Sequence, residues 1–91
     1  MEVPVQADKK DVLNRLATAE GHLAAIRRMI EEDKYCVDVL KQTYAVQRAL
    51  DKMQAVILRG HLGTCVPDRI TGSEKEKVLG ELAELYELAQ R

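Results

Sequence analysis

One stretch of this 91-residue chain constrains its fold more than any other: "CVDVLKQTYAVQRALDKMQAVILR", Cys36 to Arg59, contains neither Gly nor Pro. Val39, Leu40, Val46, Ala49, Leu50, Met53, Val56 and Ile57 recur in it at helical spacing. With its flanks, the pattern predicts a helix over about 35–64, with Gly60 and Gly63 lowering its propensity near the end. Thirty residues at about 1.5 Å each span about 45 Å. A compact monomer of this size has a radius of gyration of only about 12 Å. Such a helix cannot cover its apolar stripe within one chain, so the sequence calls for a second copy. The expected core is an antiparallel four-helix bundle built by a dimer.

Two shorter helices flank the long one. Leu13, Leu16, Leu23, Ile26 and Ile30 predict the first, over about 8–32, with Asp8 or Asp11 as its cap. The polar segment from Val5 to Lys10 reads as frayed, and "EEDKY", residues 31–35, as a connection. "VPDRITGSEKEK", with Pro67 and Gly72, reads as the break after the long helix. A third helix, over about 73–90, follows from Val78, Leu79, Leu82, Leu85, Tyr86 and Ala89, with Ser73 and Glu76 as a capping box. Three Tyr with no Phe or Trp, beside 46% hydrophobic and 32% charged residues, suits helices better than sheets. The expectation is all-α: one domain over 1–91, with three helices per chain and a long central one.

"HLGTC", His61 to Cys65, places an imidazole and a thiol four residues apart on the long helix. The other thiol is Cys36. On a continuous α-helix, His61 lies about −20° and Cys65 about +20° round from Cys36, so all three share a stripe. The 25 residues between Cys36 and His61 also mean about 37 Å of rise, whereas ligands sit about 2 Å from a metal. Antiparallel pairing of two copies resolves this, because Cys36 of one then lies beside His61 and Cys65 of the other. Two thiolates and one imidazole make a soft three-coordinate set that suits Cu(I); structural zinc wants a fourth ligand. The alternative is two ordinary half-buried cysteines and a surface histidine. His22, with no second ligand near it in sequence, reads as a packing or hydrogen-bonding residue.

Lys41, Arg48, Lys52 and Arg59 fall within about 20° of one line along the long helix, about 140° round from the cysteine stripe. Arg15, Arg27 and Arg28 add cations on the first helix. A cationic line can follow a phosphate backbone; a solvated helix face would look the same. Net charge is −1, and no helix-turn-helix signature is visible. No paired-carboxylate cleft, nucleophile–base motif or Gly-rich phosphate loop suggests an enzyme or a small-molecule substrate. No signal peptide or membrane-length apolar run is visible, so the expected location is cytoplasmic with reduced thiols.

"RLATAEGHLAAIRRMIEEDKYCVDVLKQTYAVQRALDKM" together with "HLGTC" resembles the CsoR/RcnR family of metal-responsive bacterial transcriptional repressors, strongly over about residues 11–66. The resemblance implies an all-helical dimer, usually a dimer of dimers (a homotetramer), that binds operator DNA without a helix-turn-helix. It implies an inducer site between subunits. Cys36, His61 and Cys65 correspond to the Cys-His-Cys ligands of the copper-sensing branch. Tyr35 and Glu81 correspond to positions surrounding those ligands, and Arg15 and Lys52 to positions linked to operator binding. The nickel/cobalt branch uses an N-terminal histidine and a final histidine ligand; here residues 1–10 hold no His and the last ligand is Cys65. The formaldehyde branch needs a proline directly after Met1, where this chain has Glu2. A persulfide-sensing repressor using Cys36 and Cys65 is the alternative, which His61 argues against.

Overall fold

The structure, a computed structural model, describes residues 8–90, except the side chains of Thr64, Cys65 and Asp68. Its elements are α1 (Lys9–Glu31), α2 (Cys36–Gly60), a π-helical segment (His61–Cys65), α3 (Val66–Arg69) and α4 (Lys75–Ala89). No strand occurs among the described residues, and the fold class is all-α.

Asp8 rather than Asp11 caps α1. Its carboxylate accepts from the backbone N–H groups of Lys10 and Asp11 at 3.0 and 3.3 Å, satisfying two donors that the first turn leaves without partners. Lys9 and Lys10 are therefore helical, not frayed; the rest of that polar segment, to residue 7, lies outside the described residues. At the other end, Asp33 adopts φ 56°. The Asp33 N–H donates to the Ile30 carbonyl at 3.1 Å and the Lys34 N–H to the Met29 carbonyl at 2.9 Å. This is the Schellman closure, with Asp where Gly is usual. It folds α2 back beside α1, and the seam buries Val12, Ala19 and Ile26 against Val46.

The end of the long helix departs from expectation. α-Helical bonding stops at Gly60, and an i→i+5 turn follows in which the Val66 N–H donates to the His61 carbonyl. The helix does not break at Pro67 but runs on to Arg69. Pro67 explains both facts. It has no N–H, and its ring would press on the carbonyl four residues earlier, that of Gly63, in a regular α-helix. Widening the turn before it relieves the clash while the chain continues.

The Ser73–Glu76 capping box does not form. α4 starts at Lys75 after Glu74, with no side-chain cap, which leaves Ser73 ahead of the cap position and out of phase with the first free N–H groups. Glu74 instead pairs with Arg69 at 3.3 Å.

Among the described residues, α4 meets only α3 and does not lie on the α1–α2 hairpin. The chain is accordingly long, 55 × 28 × 19 Å, with a radius of gyration of 17.2 Å. Its surface of 7376 Å² exceeds by about 2,000 Å² the area expected of a compact monomer of this mass. The excess carries apolar side chains: Leu16, Leu23 and Ile30 on α1, Leu40 and Leu58 on α2, and Leu85 and Leu88 on α4 are exposed. No described helix is long and apolar enough to cross a membrane.

Candidate metal centre and nucleic-acid interface

Cys36 is the first residue of α2, directly after the tight turn at Asp33, and its thiol is free and exposed. His61 opens the π-helical segment and is half-buried; Cys65 closes that segment, and its side chain lies outside the described residues. Twenty-five residues of unbroken α-helix separate Cys36 from His61, about 37 Å of rise. Among the described residues of one chain, no three His, Cys, Asp or Glu side chains gather at a point. The fold thus brings His61 and Cys65 into one turn and holds Cys36 at the opposite end of the same rod.

The π turn also changes the phase expected for Cys65. A turn bonded i→i+5 takes more residues than an α turn, so the +20° offset derived for a continuous α-helix does not carry past His61. Short π segments recur at functional sites because they re-aim side chains without ending the helix.

Tyr35 caps α2 by its backbone alone, and the residue is 67% exposed. Glu81 is half-buried on α4. Because α4 does not reach α2 within one chain, no hydrogen bond joins Glu81 to His61 among the described residues.

The cations are partly assembled. Arg15 and Thr18 of α1 and Ala45, Arg48, Ala49 and Lys52 of α2 line one open groove of about 380 Å³. Asp11 accepts from Arg15 Nε at 3.2 Å across a solvent-exposed pair, too screened to hold the guanidinium firmly. Lys41 and Arg59 lie further along the same exposed line of α2, outside the groove. Sequence reading missed that Arg15 joins Arg48 and Lys52 in one groove, because the register of α1 against α2 is not written in either helix alone. Thr18 was missed for the same reason.

His22, expected to pack or to hydrogen-bond, does the latter: its Nε2–H donates to Gln42 Oε1 at 2.7 Å across the α1–α2 seam, partly buried.

The described residues thus form an all-α rod with Cys36 at one end of α2, His61 at the other and a cationic groove along its side. Comparison with known proteins gives the family. The family model for metal-sensitive transcriptional repressors matches residues 8–90. The copper-sensing transcriptional repressor CsoR of Mycobacterium tuberculosis (strain ATCC 25618 / H37Rv) is 43% identical over 82 residues, 90% of this chain and 69% of that protein. The CsoR of Bacillus subtilis (strain 168) is 37% identical over 79 residues, 87% of this chain and 78% of that protein. The crystal structure of the copper-sensing repressor CsoR with Cu(I) from Geobacillus thermodenitrificans NG80-2 superposes with a TM-score of 0.86 at 27% identity, covering 100% of this chain and 95% of that one. This chain belongs to the metal-sensitive transcriptional repressor family.

Proposed function

We propose that this chain is a Cu(I)-responsive repressor whose metal-free form binds operator DNA and whose Cu(I)-bound form releases it. The observation that carries the reading is the placement of the donors. Cys36 stands at one end of α2 and His61 with Cys65 at the other, so antiparallel α2 helices of two subunits would bring Cys36 of one to the pair on the other. Relatives named as copper-sensing, 43% identical over 90% of the chain, support the choice of metal. So does the chemistry of the set, since two thiolates and an imidazole match a soft monovalent ion without a fourth ligand. When bound, Cu(I) would supply a cross-link between subunits.

The remaining roles fall to side chains. Tyr35 beside Cys36 would flank the site. Glu81 would orient the His61 imidazole across the subunit boundary, as carboxylates commonly do for ligating histidines. Arg15, Arg48 and Lys52 would face DNA phosphates from the groove, with Lys41 and Arg59 extending the line. Residues 1–91 would act as one domain within a cytoplasmic homotetramer, a dimer of dimers. The coupling between metal and DNA would need to reach about 1–3 kcal/mol or more.

The test is an anaerobic Cu(I) titration of the protein bound to a duplex from its own promoter. Release at one Cu(I) per protomer, absent in Cys36→Ala, is expected. Release by polysulfide but not by Cu(I) would favour the persulfide-sensing alternative instead.

A further inference from the structure

Among the described residues, the fully buried side chains of the α1–α2 seam are all apolar. Val12, Ala19 and Ile26 of α1 recur every seven residues and are buried, and the facing stripe of α2 is built from Val39, Val46 and Met53 at the same period. Between them sits the half-buried His22–Gln42 hydrogen bond of 2.7 Å. Among the described residues it is the one side-chain hydrogen bond between the two helices. An apolar seam that repeats every seven residues buries nearly the same surface when one helix shifts along the other or rolls against it. A single polar pair does not tolerate the shift, because a displaced imidazole and amide would each be left half-buried without a partner.

We infer that the His22–Gln42 pair is a register key: it fixes α1 against α2 so that Arg15 shares one groove with Arg48 and Lys52. The spacing is direct. In an antiparallel pair, moving seven residues back from His22 reaches Arg15, and moving seven forward from Gln42 reaches Ala49, which lines the groove with Arg15, Arg48 and Lys52. The turn at Asp33 holds the helices at their near end. Arg15 lies 16 residues from Glu31, about 24 Å along α1, where a tight turn has least control over roll and axial position. The key lies midway between the turn and the groove. His22 and Gln42 are positioning residues: neither lines the groove, and both act through the alignment of Arg15. The consequence for DNA rests on the proposed reading of that groove.

The experiment replaces the polar pair by an apolar one of similar bulk, His22→Leu/Gln42→Leu, and separately exchanges the pair, His22→Gln/Gln42→His. Thermal unfolding, the Arg15-to-Ala49 methyl nuclear Overhauser effect in the full metal-free protein, and affinity for a duplex from its own promoter are read for each. The Leu/Leu protein is expected to melt no lower than wild type, since apolar replacement of a buried polar pair is commonly neutral or stabilising. It should nevertheless lose or split the Arg15–Ala49 signal and bind the duplex about tenfold more weakly, the scale of one or two misaligned phosphate contacts. The exchanged pair should restore both signal and affinity, which a role in bulk packing alone would not predict. A Leu/Leu protein that keeps a single wild-type Arg15–Ala49 signal would overturn the register key, showing that the turn suffices. A lost signal with unchanged DNA affinity would leave the key standing and remove the groove from the DNA interface.

Discussion

Asp33 is the residue on which the hairpin turns, and it is held in a backbone region that a side chain disfavours. Aspartate tolerates the left-handed conformation better than most residues but not as well as glycine. Asp33→Gly should stabilise the protein by about 0.5–1 kcal/mol, the relief of strain being offset in part by the freer unfolded chain; reversible thermal unfolding would show it, and a lower melting temperature would mean that the carboxylate contributes something beyond the turn. Lys52 offers the matching test at the surface. If it meets a phosphate, Lys52→Ala should flatten the log–log salt slope of promoter binding by about 0.9 and leave Cu(I) affinity unchanged. A wild-type slope would make Lys52 an ordinary solvated lysine. At this scale the sequence was most legible where chemistry is local. The choice of Asp8 or Asp11 as cap, and His22 as a packing or hydrogen-bonding residue, followed from residue type and position. The positive φ at Asp33 did not, because aspartate is common in turns of many conformations.

Among the elements, the segment from Gly60 to Arg69 sets the backbone that carries His61 and Cys65, the distal donors of the proposed site. Proline 67 was read from sequence as a stop, by the rule that proline ends helices. The chain takes the other solution, a widened turn over His61–Cys65, and the helix continues to Arg69. Periodicity cannot signal this, since a π turn adds no residue type of its own. Pro67→Ala should let the segment relax toward continuous α-helix and rotate Cys65 relative to His61. Cu(I) affinity should then fall by about tenfold, comparable to losing a group that orients a ligand, while helix content stays the same or rises. Unchanged affinity would show that the π turn is a by-product of the proline and not part of the site. The α4 start was misplaced for a related reason. A capping box is a local preference, and here the chain between α3 and α4 runs on through Gly72 to a contact between Arg69 and Glu74.

At the scale of the whole molecule, the length of α2 against the size of the chain was the informative quantity. It implied an uncovered helix, and the structure has one: a 55 Å rod with α4 standing off the hairpin and leucines exposed on three helices. The two faces of the hairpin differ in kind. Arg15, Arg48 and Lys52 lie on one edge of the seam, while Cys36, His61, Leu40 and Leu58 fall within about 60° of one another on the opposite side of α2. On the proposed reading one edge meets DNA and the other a second subunit, and a change at the subunit face would reach the cationic edge through a helix only about 10 Å thick.

That division makes sharing of the metal donors between subunits the central claim, and mixed oligomers test it most directly. Neither Cys36→Ala nor the double variant His61→Ala/Cys65→Ala should hold Cu(I) tightly alone, since each lacks half of every site. Unfolded together and refolded as a mixture, they should regain one complete site in each mixed dimer, built from Cys36 of one chain and His61 with Cys65 of the other. The measurement is anaerobic Cu(I) binding, in competition with a chelator, to the mixed species isolated through two different affinity tags. Recovery of one tight site per mixed dimer is the predicted result; a mixed dimer that binds no more tightly than either parent would contradict the account.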